Sequence, residues 1–89
     1  MKKYIVKIRP NARKKLAKMN SLLRVRISKI IDDLENFDLI FWDLDIKKLK
    51  WYENRYRLRI WKYRVLFEKY EDKLIILVID IGSRWDVYK

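Results

Sequence analysis

The sequence predicts an α+β fold: an N-terminal strand, an αα-hairpin, then a mostly antiparallel four-strand meander forming one sheet with the helices on one face. Three observations carry this expectation. Apolar residues recur at helical spacing between Ala12 and Phe37, and the period changes to two from Asp45 onward. The last strong segment, LIILVIDI at 74–81, is apolar on both faces, as a central strand is. Eighty-nine residues suit one core, so 1–89 reads as a single domain.

Each element has a local reason. KKYIVKI (2–8) alternates, with Tyr4, Val6 and Ile8 on one side, and reads as a strand. Pro10 suits the entry to a helix whose buried positions are Ala12, Leu16 and Met19. Asn20-Ser21 interrupts it, and Ser21 is the expected cap of the next helix. That second helix, over roughly 22–36, carries Leu23, Ile27, Ile30, Ile31 and Leu34 on its apolar face. DIKKLK (45–50) is a short strand. RYRLRIW (55–61) turns Tyr56, Leu58 and Ile60 inward and Arg55, Arg57, Arg59 and Trp61 outward. YRVLFEKY (63–70) alternates in the same way, and Glu71-Asp72-Lys73 is the turn before the apolar strand.

Composition narrows the chemistry. The 23 Lys and Arg against 12 Asp and Glu give a formal charge of +11, so a polyanion is the favoured partner, nucleic acid before membrane. The charge is segregated. Residues 1–31 and 47–70 are strongly basic, whereas 32–46 carry acids and no base. A fold that joins the two basic blocks makes one cationic groove. With no cysteine and no histidine, disulfides, thiolate nucleophiles, serine triads and nearly every catalytic zinc site are excluded. A single Gly excludes a phosphate-binding glycine loop. No apolar run approaches 18 residues, so a cytoplasmic protein with no membrane association, no metal and no cofactor is expected. Any catalysis must come from Arg, Lys, Tyr and carboxylates.

The segment DIKKLKWYENRYRLRIWKYRVLFE (45–68), followed by IDIGSRWDVY (79–88), resembles the RelE/ParE toxin superfamily of toxin–antitoxin systems. The resemblance runs over essentially the whole chain, and RYRLRI…YRVLFE with the terminal GSR…Y are its most specific parts. It implies the RelE-like fold and two branches of function: ribosome-dependent endoribonucleases that cut mRNA in the A site, and inhibitors of DNA gyrase. Carried over residue by residue, it implies a basic pair at Arg57 and Arg59, catalytic arginines at Arg64 and Arg84, and a catalytic tyrosine at Tyr88. This set favours the ribonuclease branch. The resemblance also implies a cognate acidic, RelB-like antitoxin, with the ribosome and mRNA as the other partners. Where the family usually has Gly after KLK and before KYR, this chain has Trp51 and Trp61. Trp61-Lys62 falls in a tight hairpin turn that normally needs φ > 0, so the loop is expected to be longer, bulged or strained.

RNA cleavage without metal or histidine needs a base for the 2′-OH, stabilisation of the phosphorane and a proton for the 5′-oxygen. Arginine suits the second task because its fork grips phosphate oxygens and stays charged. Arg57 and Arg59 share one strand face about 7 Å apart. The resemblance implies Tyr88 as base and Arg84 as acid, with Arg64 on the scissile phosphate; four nearby cations would lower the tyrosine pKa from about 10. Lys47, Lys48, Lys50, Arg55 and Lys62 are the further candidates for phosphate binding, and Trp61 and Trp85 for base stacking. Bland roles compete. Arg57 and Arg59 also fit edge-strand charges that deter aggregation. Arg64 also fits a plain pair with Glu68, Asp80 a structural partner for an arginine, and Trp42 a core or partner contact.

Overall fold

The structure is a computed structural model, and it describes residues 2–83. Element order is β1 (Ile5–Ile8), α1 (Pro10–Ala17), α2 (Ser21–Asp33), a 3-10 turn (Leu34–Asn36), α3 (Phe37–Ile40), β2 (Asp45–Lys48), β3 (Arg55–Ile60), β4 (Tyr63–Tyr70) and β5 (Ile75–Ser83). The sheet order is β1-β5-β4-β3-β2, with β1 parallel to β5 and every other pairing antiparallel. The chain is α+β as expected. β1 closes against the last strand because the helical hairpin supplies the crossover that a parallel pair requires.

Helix boundaries follow from capping. Pro10 opens α1, where its missing N–H costs nothing. The cap of α2 is Asn20, not Ser21: the Leu23 N–H donates to Asn20 Oδ1 at 3.0 Å. Asn20 keeps extended backbone (φ −62°, ψ 156°), whereas Ser21 already lies in the helix. α2 ends at Asp33, and the apolar pattern read as one helix to 36 continues through the 3-10 turn into α3. This break lets the Tyr4 N–H donate to the Glu35 carbonyl at 2.8 Å, tying the N-terminal segment to the turn.

α1 takes over where β1 stops. Arg9 N–H still donates to the Val78 carbonyl, and Asn11 Nδ2 donates to the Ile79 carbonyl at 3.0 Å, so the helix covers a strand edge that would otherwise be unpaired. The core lies between helices and sheet, with Ile27, Ile31, Leu34, Leu58, Val65, Phe67, Ile76, Val78 and Ile81 fully buried. A bulge after Leu66 moves β5 by one residue, placing Asp80 opposite Leu66 and Val78 opposite Phe67. Both residues of the apolar pair therefore stay on the core side.

Two features of this core carry charge or strain. Lys69 leaves β4 on the helix side and stands over Phe37 (4.4 Å), Tyr56 (5.3 Å) and Tyr4 (6.0 Å), with its Nζ 2.9 Å from Glu71. Burial opposes its charge, and the Glu71 bond with the phenol rings outweighs that, so its pKa is raised. Ile60 pairs directly with Tyr63, making Trp61-Lys62 a two-residue turn with Trp61 at φ 55°. Of the three expected solutions the chain uses strain, at about 1–3 kcal/mol for a bulky residue in this region.

Candidate nucleic-acid interface

The register assembles the site on the sheet face turned away from the helices. Side chains alternate along a strand, so Leu58, Val65 and Phe67 define the core face and Arg57, Arg59 and Arg64 the other. Two rows run across that second face. One is Asp45–Arg59–Arg64–Gly82, and the next is Lys47–Arg57–Leu66–Asp80. Each holds a like-charge pair directly across two strands, Arg59 with Arg64 and Lys47 with Arg57. Such pairs oppose folding. Gly82, beside Arg64, contributes no side chain to this row.

The carboxylates of this face are already engaged. Asp45 bonds both Arg59 Nε (2.7 Å) and Arg57 Nη2 (3.0 Å). Burial raises the Asp45 pKa, but the fields and hydrogen bonds of Arg57 and Arg59 outweigh it and hold the carboxyl below its ordinary value. Asp80 bonds Lys15 Nζ at 2.7 Å and accepts the Ile81 N–H, so among the described residues its charged partner is a lysine of α1. Arg57 is only 8% exposed although it faces outward, and its fork is therefore held in place. The arrangement is a rigid cationic surface with less negative than positive charge within its rows, suited to phosphate.

The other candidates divide by position. β3 is an interior strand, which removes the edge-protection role from Arg57 and Arg59. Arg55 bonds Glu68 at 2.9 Å, and Tyr70 donates to the same carboxylate at 2.7 Å. Glu68 is thus tied to Arg55 and Tyr70 rather than to Arg64 through the expected pair. Arg55 also lies over the Tyr52 ring at 4.5 Å. Lys48 stands opposite Tyr56 on the helix side, because the period of two turns it away from Lys47. Lys50 is in the β2–β3 loop above the Trp51 ring, and Lys62 is in the β3–β4 turn over Tyr63. Trp42 is 86% exposed and so is not a core residue. Arg84, Trp85 and Tyr88 lie outside the described residues.

The two basic blocks touch at the β3–β4 tip, where Arg26 of α2 lies 5.5 Å from the Trp61 ring. The arginines of β3 and β4 face away from α2. Asp45 and Lys15 were not legible as site residues. Asp45 closes an acidic stretch in the sequence, and only the pairing of β2 with β3 brings it against two arginines. Among the described residues, no helix is long and apolar enough to cross a membrane.

Comparison with known proteins places this geometry. Residues 6–88 match the family described as ParE toxin of type II toxin–antitoxin system, parDE. Toxin RelE3 of Methanocaldococcus jannaschii is 43% identical over 54 residues, 60% of this chain and 61% of that relative's length. A chain of the RelB–RelE antitoxin–toxin complex from Methanococcus jannaschii superposes with a TM-score of 0.73 at 30% identity, covering 92% of this chain and 94% of that one. A chain of the archaeal RelE–RelB complex from Pyrococcus horikoshii shares the fold at a TM-score of 0.81 and 24% identity, over 96% and 99% of the two chains. With nearly the whole sheet and all three described helices inside the matched span, the chain belongs to the ParE toxin family of type II toxin–antitoxin systems, within the RelE/ParE superfamily.

Proposed function

We propose that this toxin is a ribosome-dependent endoribonuclease of the RelE type that cleaves mRNA in the A site and so stops translation. The observation that carries the reading is the Arg59–Arg64 pair, set directly across β3 and β4 with Asp45 shared between Arg59 and Arg57. Two like charges in register cost folding energy, and a bound phosphate turns that cost into binding. Arg64 holds the scissile phosphate and stabilises the phosphorane, while Arg57, Arg59 and Lys47 supply the surrounding field. Tyr88 takes the 2′-OH proton and Arg84 protonates the 5′-oxygen, giving a 2′,3′-cyclic phosphate and a 5′-OH without a metal ion. An acidic RelB-like antitoxin is the partner that neutralises the face; solved RelE relatives carry RelB in their complexes.

The second reading is a DNA gyrase inhibitor, favoured by the name of the family that matches residues 6–88. A third, a non-catalytic RNA- or ribosome-binding module, needs only the +11 charge. One set of assays separates them: cleavage of mRNA on translating ribosomes, cleavage of free RNA, and gyrase supercoiling. The ribonuclease reading expects cuts within the A-site codon and no effect on gyrase. Gyrase inhibition with intact mRNA overturns it.

A further inference from the structure

A groove of about 450 Å³ opens between the start of α2 and the β3–β4 turn, on the helix side of the tip that carries the Arg59–Arg64 pair. Leu23 and Tyr63 form apolar walls, and Arg26 and Lys62 supply charge at its rim. Trp61 stands in it 58% exposed, with the Arg26 guanidinium 5.5 Å from its ring. Two observations set this tryptophan apart. It contributes no side chain to the core, and it occupies a left-handed backbone position (φ 55°) that Gly fills without strain. A residue that costs folding energy and returns little burial is a candidate for a binding role.

We propose that this groove is a stacking subsite for one unpaired nucleobase of single-stranded RNA, lying next to the phosphate held at Arg59 and Arg64. The inference rests on the RNA-directed reading of the cationic face. The chemistry favours a base over a peptide. An exposed indole backed by a guanidinium offers one flat polarised surface of the size of a base. The rim charges suit the phosphate that follows the base and oppose a basic ligand. Trp61 is two residues beyond Arg59, about 7 Å of strand, so a neighbouring nucleotide reaches it by rounding the tip. The subsite would select for nucleotides that stack well, such as purines, at one position beside the cleavage point.

The test compares a short single-stranded RNA with an oligonucleotide of equal length in which one ribose lacks its base, scanned along the sequence. Both carry the same phosphates, so their affinity ratio isolates stacking. The wild-type protein is expected to prefer the complete RNA by roughly tenfold to a hundredfold at one position. Trp61→Gly is expected to lose that preference while melting a few degrees higher, because glycine relieves the backbone strain. Trp61→Phe should retain most of the preference. Arg64→Ala should weaken both oligonucleotides together and leave the ratio intact. An unchanged ratio in Trp61→Gly overturns the subsite, whether or not that variant binds the antitoxin less well. Absence of RNA binding in every variant and in the wild type instead overturns the RNA-directed reading beneath it.

Discussion

Lys69 and the arginines of β3 and β4 are cations on one sheet, and the two faces treat them differently. On the helix side, Lys69 is closed in by Phe37, Tyr56 and Tyr4 and bonds Glu71 at 2.9 Å. On the other side, Lys47, Arg57, Arg59 and Arg64 lie across from one another in like-charge pairs, and Asp45 must serve two guanidiniums. A cation with its own partner and its own packing contributes to folding. Cations that share one carboxylate, as Arg57 and Arg59 share Asp45, keep part of their field for an external anion. Basic residues therefore mark an anion site by their surplus in space, not by their number in the chain.

Substituting one residue from each face separates these roles. Arg64→Ala is expected to lower A-site cleavage about a hundredfold to a thousandfold, the scale of losing one oriented donor to a transition-state anion. Its melting temperature should shift by no more than a few degrees. Tyr88→Phe should impair cleavage comparably by removing one oxygen. Full cleavage by both variants would place the chemistry elsewhere. Lys69→Ala is expected to do the opposite. Loss of the packed stem and of its contacts with three rings should cost about 2–4 kcal/mol in denaturant unfolding, with cleavage per folded molecule unchanged. Lys69→Met, which keeps the stem, should recover part of that loss. A Lys69→Ala variant as stable as the wild type would remove the structural half of the comparison.

Smaller effects sharpen the charge balance. Asp45→Asn releases Arg57 and Arg59 from their shared counterion, so RNA affinity at low salt should rise roughly three- to tenfold. Stability should fall by about 1 kcal/mol, since the pair is partly exposed. In the wild type, about five phosphate contacts predict a slope near −3 to −4 for log affinity against log salt. A slope near zero would mean that the face does not bind through its charge.

The pH dependence has two limbs. The pKa values of Asp45 and Glu68 are lowered on folding. In Glu68, burial opposes ionisation, and the Tyr70 and Arg55 hydrogen bonds outweigh it. Their stabilisation is complete above the ordinary carboxylate value of about 4 and disappears as pH falls through the lowered values. Lys69, with its pKa raised, contributes fully below about 10.4 and loses that contribution as pH climbs past its folded value. Thermal melts from pH 2 to 12 should show both limbs. The alkaline one should shrink in Lys69→Met, and the part that remains belongs to Tyr4 and Tyr70, whose pKa values are also raised; an unchanged limb would remove Lys69 from it.

Elements and their faces follow from local pattern. Period-two alternation in RYRLRI and YRVLFE is local, so it could place Arg57, Arg59 and Arg64 opposite the core before any strand was paired. Pro10 opened a helix, and the RYRLRI…YRVLFE resemblance led to the family. Which charges meet depends on the pairing of strands and the packing of helices on them. Arg59 stands across from Arg64 because a two-residue turn at Trp61-Lys62 sets that register, and Asp45 reaches Arg59 because β2 pairs back on β3. Lys48 and Lys47 are adjacent in the chain and face opposite sides of the sheet. Glu68 chose Arg55 and Tyr70, Asp80 chose Lys15, and Lys69 went into an aromatic enclosure built from three separate segments. Apart from Tyr70 on Glu68 and Arg59 across the turn from Arg64, these pairings join residues distant in sequence, and strand register with core packing, rather than composition, fixes which ones come within bonding distance.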